Sequence, residues 1–181
     1  LAPLSHLALV LIGKGEAEYK GQILSGEEVL KKVNIPPVKL KAKEGLALTN
    51  GTQVMTAIGA LALLRAERLC KIADICASIS IDSLLGTPDA FDELVHKIRP
   101  HSGQIESAEN IANLLTNSKL SNSHTDCENV QDAYSLRCSP QVNGAVRDAL
   151  KYVRQTIETE INSATDNPLI FPNEDKVISG G

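Results

Sequence analysis

Gln131, Tyr134 and Arg137 recur every three residues in the stretch Gln131-Asp132-Ala133-Tyr134-Ser135-Leu136-Arg137-Cys138. Side chains three or four apart share a helix face, so one helical turn could present an amide, a phenol and a guanidinium together. The planar Arg fork binds a carboxylate through two parallel hydrogen bonds, and a Tyr hydroxyl can donate or accept a proton. Such a set suits an amino-acid substrate. The same octet also fits a capped helix start carrying ordinary surface polar residues, and the spacing alone leaves both readings open.

The elements around this stretch read as helices joined by short connectors, an all-α chain whose long antiparallel helices form part of a bundle. Val54, Ile58, Leu61, Leu64, Leu69, Ile72, Ile75 and Ile79 keep a three-to-four-residue rhythm, which predicts a long helix from about Gln53 to Leu85, ended by Gly86. Thr87 as N-cap with Pro88 behind it predicts a helix through Ile98, which Pro100 closes. Ile105, Ala108, Ile111 and Leu115 mark a third helix. Val142, Val146, Leu150, Val153, Ile157 and Ile161 mark a second long amphipathic one, ending near Asn167-Pro168. Between these, Asn117 to Asn129 is rich in Ser, Asn, Asp and His, the composition of a mobile loop. Short strands at most are expected, at Val38 to Leu40 and Leu169 to Phe171, each an apolar run beside proline. No internal repeat or low-complexity segment divides residues 1–181, which read as a single helical segment.

Composition narrows the function classes. With 181 residues, 43% of them hydrophobic, the chain can bury an ordinary core. The apolar run Leu7 to Ile12 is far shorter than the ~20 residues that cross a bilayer. A formal charge of −4 without a dense Lys/Arg run argues against nucleic acid as partner, and the basic segment Lys31 to Lys43 reads as a solvated connector. The chain opens without Met, a basic leader or a secretory cleavage signal, which is the expectation for a piece of a cytoplasmic protein. Cys70, Cys76, Cys127 and Cys138 lack metal-type spacing and read as structural thiols, the first two within an apolar helical pattern. His96 and His101 are separated by Pro100, so no metal site is expected from them.

Four segments taken together resemble the aromatic amino acid ammonia-lyase family. They are the opening Leu1-Ala2-Pro3-Leu4-Ser5-His6-Leu7-Ala8-Leu9-Val10-Leu11-Ile12-Gly13, the stretch Lys43-Glu44-Gly45-Leu46-Ala47-Leu48-Thr49-Asn50-Gly51-Thr52-Gln53, the Gln131 to Cys138 octet, and Asn162-Ser163-Ala164-Thr165-Asp166-Asn167-Pro168-Leu169. The resemblance runs from the first residue to the last, in the family's order, and is closest to the histidine-specific members. Ser5-His6 resembles the histidine and some tyrosine enzymes more than the phenylalanine-specific ones.

The resemblance implies a reaction in which ammonia leaves L-histidine to give trans-urocanate. It also implies an autocatalytic methylidene-imidazolone electrophile, formed from an Ala-Ser-Gly tripeptide upstream of the position matching Leu1, and a loop Tyr acting as base, also upstream. The chain is accordingly expected to be an internal fragment from the central part of the enzyme, inactive by itself, with no cofactor or metal of its own. Position by position, Asn50 matches the Asn at the electrophile and reacting amine, with Gly51 allowing close backbone approach. Arg137 matches the Arg that holds the substrate carboxylate, Tyr134 a Tyr that orients the electrophile, and Gln131 a polar residue lining the pocket. Without the family, Asn50 could equally be a helix N-cap on Gln53 and Tyr134 a half-buried aromatic. One departure stands out: histidine-specific members typically read Gln-Val-His-Gly where this chain has Gln141-Val142-Asn143-Gly144, which loses a titratable ring. A tyrosine ammonia-lyase or aminomutase, or a non-catalytic helical association module, remains an alternative. The family's homotetramer implies that the long helices meet partner helices, so the chain alone should expose apolar faces and associate.

Overall fold

The computed structural model describes residues 2–124, 127 and 129–180. In chain order the elements are α1 (Ala2–Leu11), β1 (Glu16–Tyr19), β2 (Gln22–Ser25), α2 (Gly26–Lys32), α3 (Glu44–Ala47), α4 (Gln53–Ser83), a 3-10 turn (Pro88–Phe91), α5 (Glu93–Lys97), α6 (Ser102–Leu115), α7 (Lys119–Asn122), α8 (Tyr134–Arg137), α9 (Ser139–Ile161), β3 (Leu169–Phe171), a second 3-10 turn (Pro172–Glu174) and β4 (Lys176–Ile178). The architecture is helical with two small antiparallel strand pairs, as the sequence pattern implied. The chain divides into two compact units, residues 1–58 with 158–181, and residues 59–157.

In the first unit, α1 turns into a β-hairpin at Gly13 and Gly15, both with positive φ. Lys20 and Gly21, also at positive φ (51° and 78°), make the two-residue turn whose twist matches paired strands. β1 and β2 pair from Glu16 opposite Ser25 to Tyr19 opposite Gln22. The hairpin feeds α2 through a capping box in which Ser25 Oγ accepts from the Glu28 N–H and the Glu28 carboxylate accepts from the Ser25 N–H at 3.1 Å. Gly26 sits where a Cβ would lie 2.2 Å from the Lys14 carbonyl oxygen, so only glycine lets the chain pass there. Val38 to Leu40 is not a strand: after Pro36 and Pro37, which have no N–H, Val38 donates to the Leu11 carbonyl at 2.9 Å and the segment continues unpaired. The basic connector is exposed up to Ala42, and Lys43 pairs with Asp166 at 3.3 Å. Leu169 to Phe171 is a strand, paired with β4 from Leu169 opposite Ile178.

In the second unit α4 and α9 run antiparallel, since Glu67 meets Arg154 while Asp74, further along, meets Arg147 and Asn143. α6 crosses α9 at a contact between glycines. A Cβ on Gly103 would lie 2.2 Å from the Gly144 carbonyl oxygen, and one on Gly144 would lie 2.3 Å from the Gln104 nitrogen. The core is Ile81, Phe91, Ile111 and Leu115, with Ala77, Ala90, Ala112 and Leu136 packed against it.

Three expectations need correction. Thr87 caps only the short 3-10 turn, because Asp92 leaves the helical conformation (ψ 136°) and its carboxylate caps α5 anew by accepting from the Leu94 N–H at 2.8 Å. The stretch Asn117 to Asn129 is not all loop: Ser118 Oγ accepts from the N–H groups of Leu120 and Ser121 and starts α7. Thr125, Asp126 and Glu128 of that stretch lie outside the described residues. α9 ends at Ile161, earlier than Asn167-Pro168, with Asn162 Nδ2 donating back to the Glu158 carbonyl at 2.7 Å. Cys70 is buried as the apolar pattern suggests, whereas Cys76 is exposed.

Candidate functional site

Asp132 anchors the segment that carries the polar octet. Its Oδ2 accepts from the Thr87 N–H at 2.7 Å, just beyond Gly86, where a Cβ would meet both Ile81 and Asp132 within 3.1 Å. Leu136 packs onto the core cluster, so the outer face of α8 is turned to a cleft of about 300 Å³. Thr87, Asp89, Gln131, Asp132, Arg137 and Gln141 supply its polar lining, with Ala90, Val95 and Val130 beside them.

Arg137 and Tyr134 occupy one turn as expected, and the guanidinium carbon stands 4.7 Å from the centre of the Tyr134 ring. Tyr134 is exposed rather than half-buried. Gln131 lies before the helix begins, because α8 starts at Tyr134, so it reaches the cleft from the preceding extended chain and not from a shared helical turn. Arg137 forms no ion pair among the described residues, and its Nε is buried without a hydrogen-bond partner. Gln141 Oε1, in the first turn of α9, is likewise buried and unpartnered, and sequence reasoning did not single it out as a site residue. An unpaired guanidinium in a polar-lined cleft is equipped to receive an anion.

Asn50 belongs to the first unit, between α3 and α4. It does not cap Gln53. The relation is reversed, with Gln53 Nε2 donating to the Asn50 and Ala47 carbonyls at 3.1 Å each and closing the end of α3. The Asn50 N–H reaches the Leu46 carbonyl at 2.8 Å, while its carboxamide makes no hydrogen bond among the described residues. Gly51 takes φ +121°, and a Cβ there would lie 2.6 Å from Thr165 Oγ1. The backbone after Asn50 is therefore held close to the 163–166 segment, where the Thr52 N–H also meets Thr165 Oγ1 at 3.5 Å.

The sequence gives no sign of a buried polar network between α4, α6 and α9. Asp74, 1% exposed on α4, accepts from Ser107 Oγ at 2.6 Å, from Asn110 Nδ2 and Asn143 Nδ2 at 3.0 Å each, and from Arg147. Arg147 also reaches Glu106 at 2.5 Å. Burial pushes the Asp74 carboxyl up, but those four donors outweigh it and hold the group below the ordinary carboxylate range. Asn143, the position where the resemblance leads one to expect His, is thus a donor to a structural carboxylate. His96 is buried too. Its Nε2 faces the Ala90 carbonyl at 3.0 Å, so that nitrogen carries a hydrogen, and its Nδ1 lies 2.9 Å from the Gln104 carboxamide. Among the described residues no group of three or more His, Cys, Asp or Glu could hold a metal ion, and no helix is long and apolar enough to cross a membrane.

Comparison with known proteins places this geometry. Histidine ammonia-lyase 2 of Fusobacterium nucleatum is 60% identical over 100% of this chain, which covers 35% of that protein. The crystal structure of histidine ammonia-lyase from Trypanosoma cruzi superposes with a TM-score of 0.82 at 40% identity, over 100% of this chain and 34% of that one. Tyrosine aminomutase from Streptomyces globisporus gives a TM-score of 0.85 at 39% identity, over 99% of this chain and 38% of that one. The chain spans about a third of the length of the curated relatives it matches. The model of the family described as aromatic amino acid lyase matches residues 1–181 from end to end, and the chain belongs to that family.

Proposed function

We propose that this chain is the central part of a histidine ammonia-lyase, and that the full-length enzyme eliminates ammonia from L-histidine to give trans-urocanate. The observation that carries the reading is Arg137, a guanidinium without an acid partner among the described residues, stacked on Tyr134 at the edge of a polar cleft. An arginine without an ion-pair partner among the described residues offers its fork to an incoming carboxylate. The family match and the 60% identical histidine ammonia-lyase support the choice of substrate.

In this reading Arg137 holds the substrate carboxylate and Tyr134 limits the tilt of the guanidinium plane. Gln131 lines the same cleft from the chain that precedes α8. Fixing one end of a small substrate in this way removes much of the orientational cost of reaction. Asn50 offers a carboxamide without a hydrogen bond among the described residues, beside a glycine that admits close approach, which fits a residue that contacts the family's electrophile. The methylidene-imidazolone group supplies capture of the amino group. It forms from Ala-Ser-Gly, a tripeptide these 181 residues do not contain, so no step through it is assigned to this chain. We assign the base to the remainder of the protein for the same reason.

The long helices support assembly. Leu61, Leu64, Leu69, Ile72, Ile75 and Ile79 keep the helical rhythm of a core yet are exposed on α4. A stripe of this extent calls for a covering surface, and a cytoplasmic homotetramer with shared helices supplies one. The test of the function is turnover by the full-length enzyme. Arg137→Ala is expected to lower kcat/KM for L-histidine about 100-fold, the loss of a charged two-bond contact of about 3 kcal/mol. Intact turnover in that variant refutes the reading. Formation of a β-amino acid from L-tyrosine in place of urocanate would assign the enzyme to the aminomutases.

A further inference from the structure

Two residues lining the same cleft each carry a buried polar atom without a hydrogen-bond partner among the described residues. One is a donor, the Nε–H of Arg137, and the other an acceptor, Oε1 of Gln141, four residues further on. The link between them is nearly helical, with Cys138 at φ −98° and ψ 12° and the Gln141 N–H bonded to the Cys138 carbonyl at 3.1 Å. Residues at this spacing approach one another on one face. Native proteins rarely leave such atoms buried and unmatched, and each unmatched group costs free energy.

We propose that Gln141 is a positioning residue for Arg137, its carboxamide oxygen accepting from the Arg137 Nε–H when the cleft takes up a carboxylate. The guanidinium has five N–H groups in a rigid plane. Tyr134 stacks on one face of that plane, which restrains tilt but leaves rotation within the plane free. An acceptor on Nε fixes that rotation and leaves the two terminal nitrogens for the substrate. This rests on the carboxylate role proposed for Arg137. It adds a residue that touches no substrate and acts only through the fork.

The experiment uses the full-length enzyme with Gln141→Met, which keeps length and apolar volume but removes the acceptor, and Gln141→Glu, which keeps it. Gln141→Met is expected to raise KM for L-histidine about tenfold with kcat within about threefold, the size of one hydrogen bond to a charged group. Gln141→Glu restores KM to within about threefold of wild type. Inhibition by histamine, the amine that lacks the carboxylate, stays unchanged in both. In an Arg137→Lys background, where there is no Nε–H fork, Gln141→Met adds nothing further, as a double-mutant cycle reads directly. If Arg137→Lys raises KM while Gln141→Met leaves it alone, the positioning role falls and the carboxylate role stands. If Arg137→Lys itself leaves KM unchanged, both fall. A Gln141→Met defect that persists in the Arg137→Lys background, or that weakens histamine equally, marks a packing effect and overturns the proposal.

Discussion

Replacing Asp74 by Asn removes one charge from the buried network and changes almost no volume. Asp74 is 1% exposed and Arg147 is 7% exposed, so neither ion can turn to water for compensation. The new amide must direct its NH₂ either at Arg147 and Asn110, which are donors, or at Ser107 and Asn143, which now donate. The second choice is the less costly one, since a hydroxyl can rotate and the Asn143 carboxamide can turn over to accept. Arg147 then keeps only Glu106, whose side chain is 45% exposed, as its counter-ion. Breaking a buried pair on one side typically costs about 3–5 kcal/mol. At ~2–4 °C per kcal/mol for a chain of this size, the melting temperature should fall by about 10 °C. Urea and thermal unfolding of the 181-residue chain, read by circular dichroism, give the number. The pH dependence supplies an independent check. Donor hydrogen bonds hold the Asp74 carboxyl below its ordinary value. Such a carboxylate stabilises the fold fully above its unfolded value of ~4, and the contribution is lost as pH falls through the lower folded value. The gap between wild type and Asp74→Asn should therefore be constant above about pH 4 and shrink below it. A loss under about 1 kcal/mol at pH 7, or a gap that stays the same from pH 7 to pH 3, would show that the network is not a charged hub.

Gly144→Ala should destabilise the second unit by about 3 kcal/mol despite the higher helix propensity of Ala, because the new methyl would sit 2.3 Å from the Gln104 backbone nitrogen. Chemical denaturation measures it, and a neutral or stabilising result means that α6 and α9 do not cross at these glycines. Glu67→Gln should cost only about 0.5–1 kcal/mol, since the Glu67–Arg154 fork, at 2.6 and 2.8 Å, is partly solvated. That cost should shrink further in 1 M salt, where the Debye length is about 3 Å, and a salt-independent cost would mean that the contact is packing rather than charge.

The two long helices were legible because periodicity is a local property that survives without tertiary context. The predicted end of α4 lies within two residues of the observed one, but the residue that turns left-handed there is Leu85, at φ 56°, one before Gly86. Turn chemistry was equally present in the sequence but went unread. Lys20-Gly21 between Tyr19 and Gln22, and Ser25 three residues before Glu28, are the signals that would have found the first hairpin and the capping box. Asp92 was passed over as a helical residue because Thr87-Pro88 already offered a start. The second cap wins since its carboxylate satisfies the Leu94 N–H. For the candidate site, residue types and spacing made Arg137 and Tyr134 candidates, and the family resemblance gave them their roles. The start of α8 decided that Gln131 comes to the cleft from outside the helix.

By itself the sequence determined the helical class and the family membership carried by its four segments. Tertiary structure alone decided the environment of the polar residues. An Asp in the middle of an apolar helix is indistinguishable in the sequence from a solvent-facing polar, yet Asp74 finds its partners 33, 69 and 73 residues away, at Ser107, Asn143 and Arg147. Local periodicity reports which face of a helix is apolar. It carries no information on which side chains of other helices will meet that face, and it is those meetings that keep a buried carboxylate ionised.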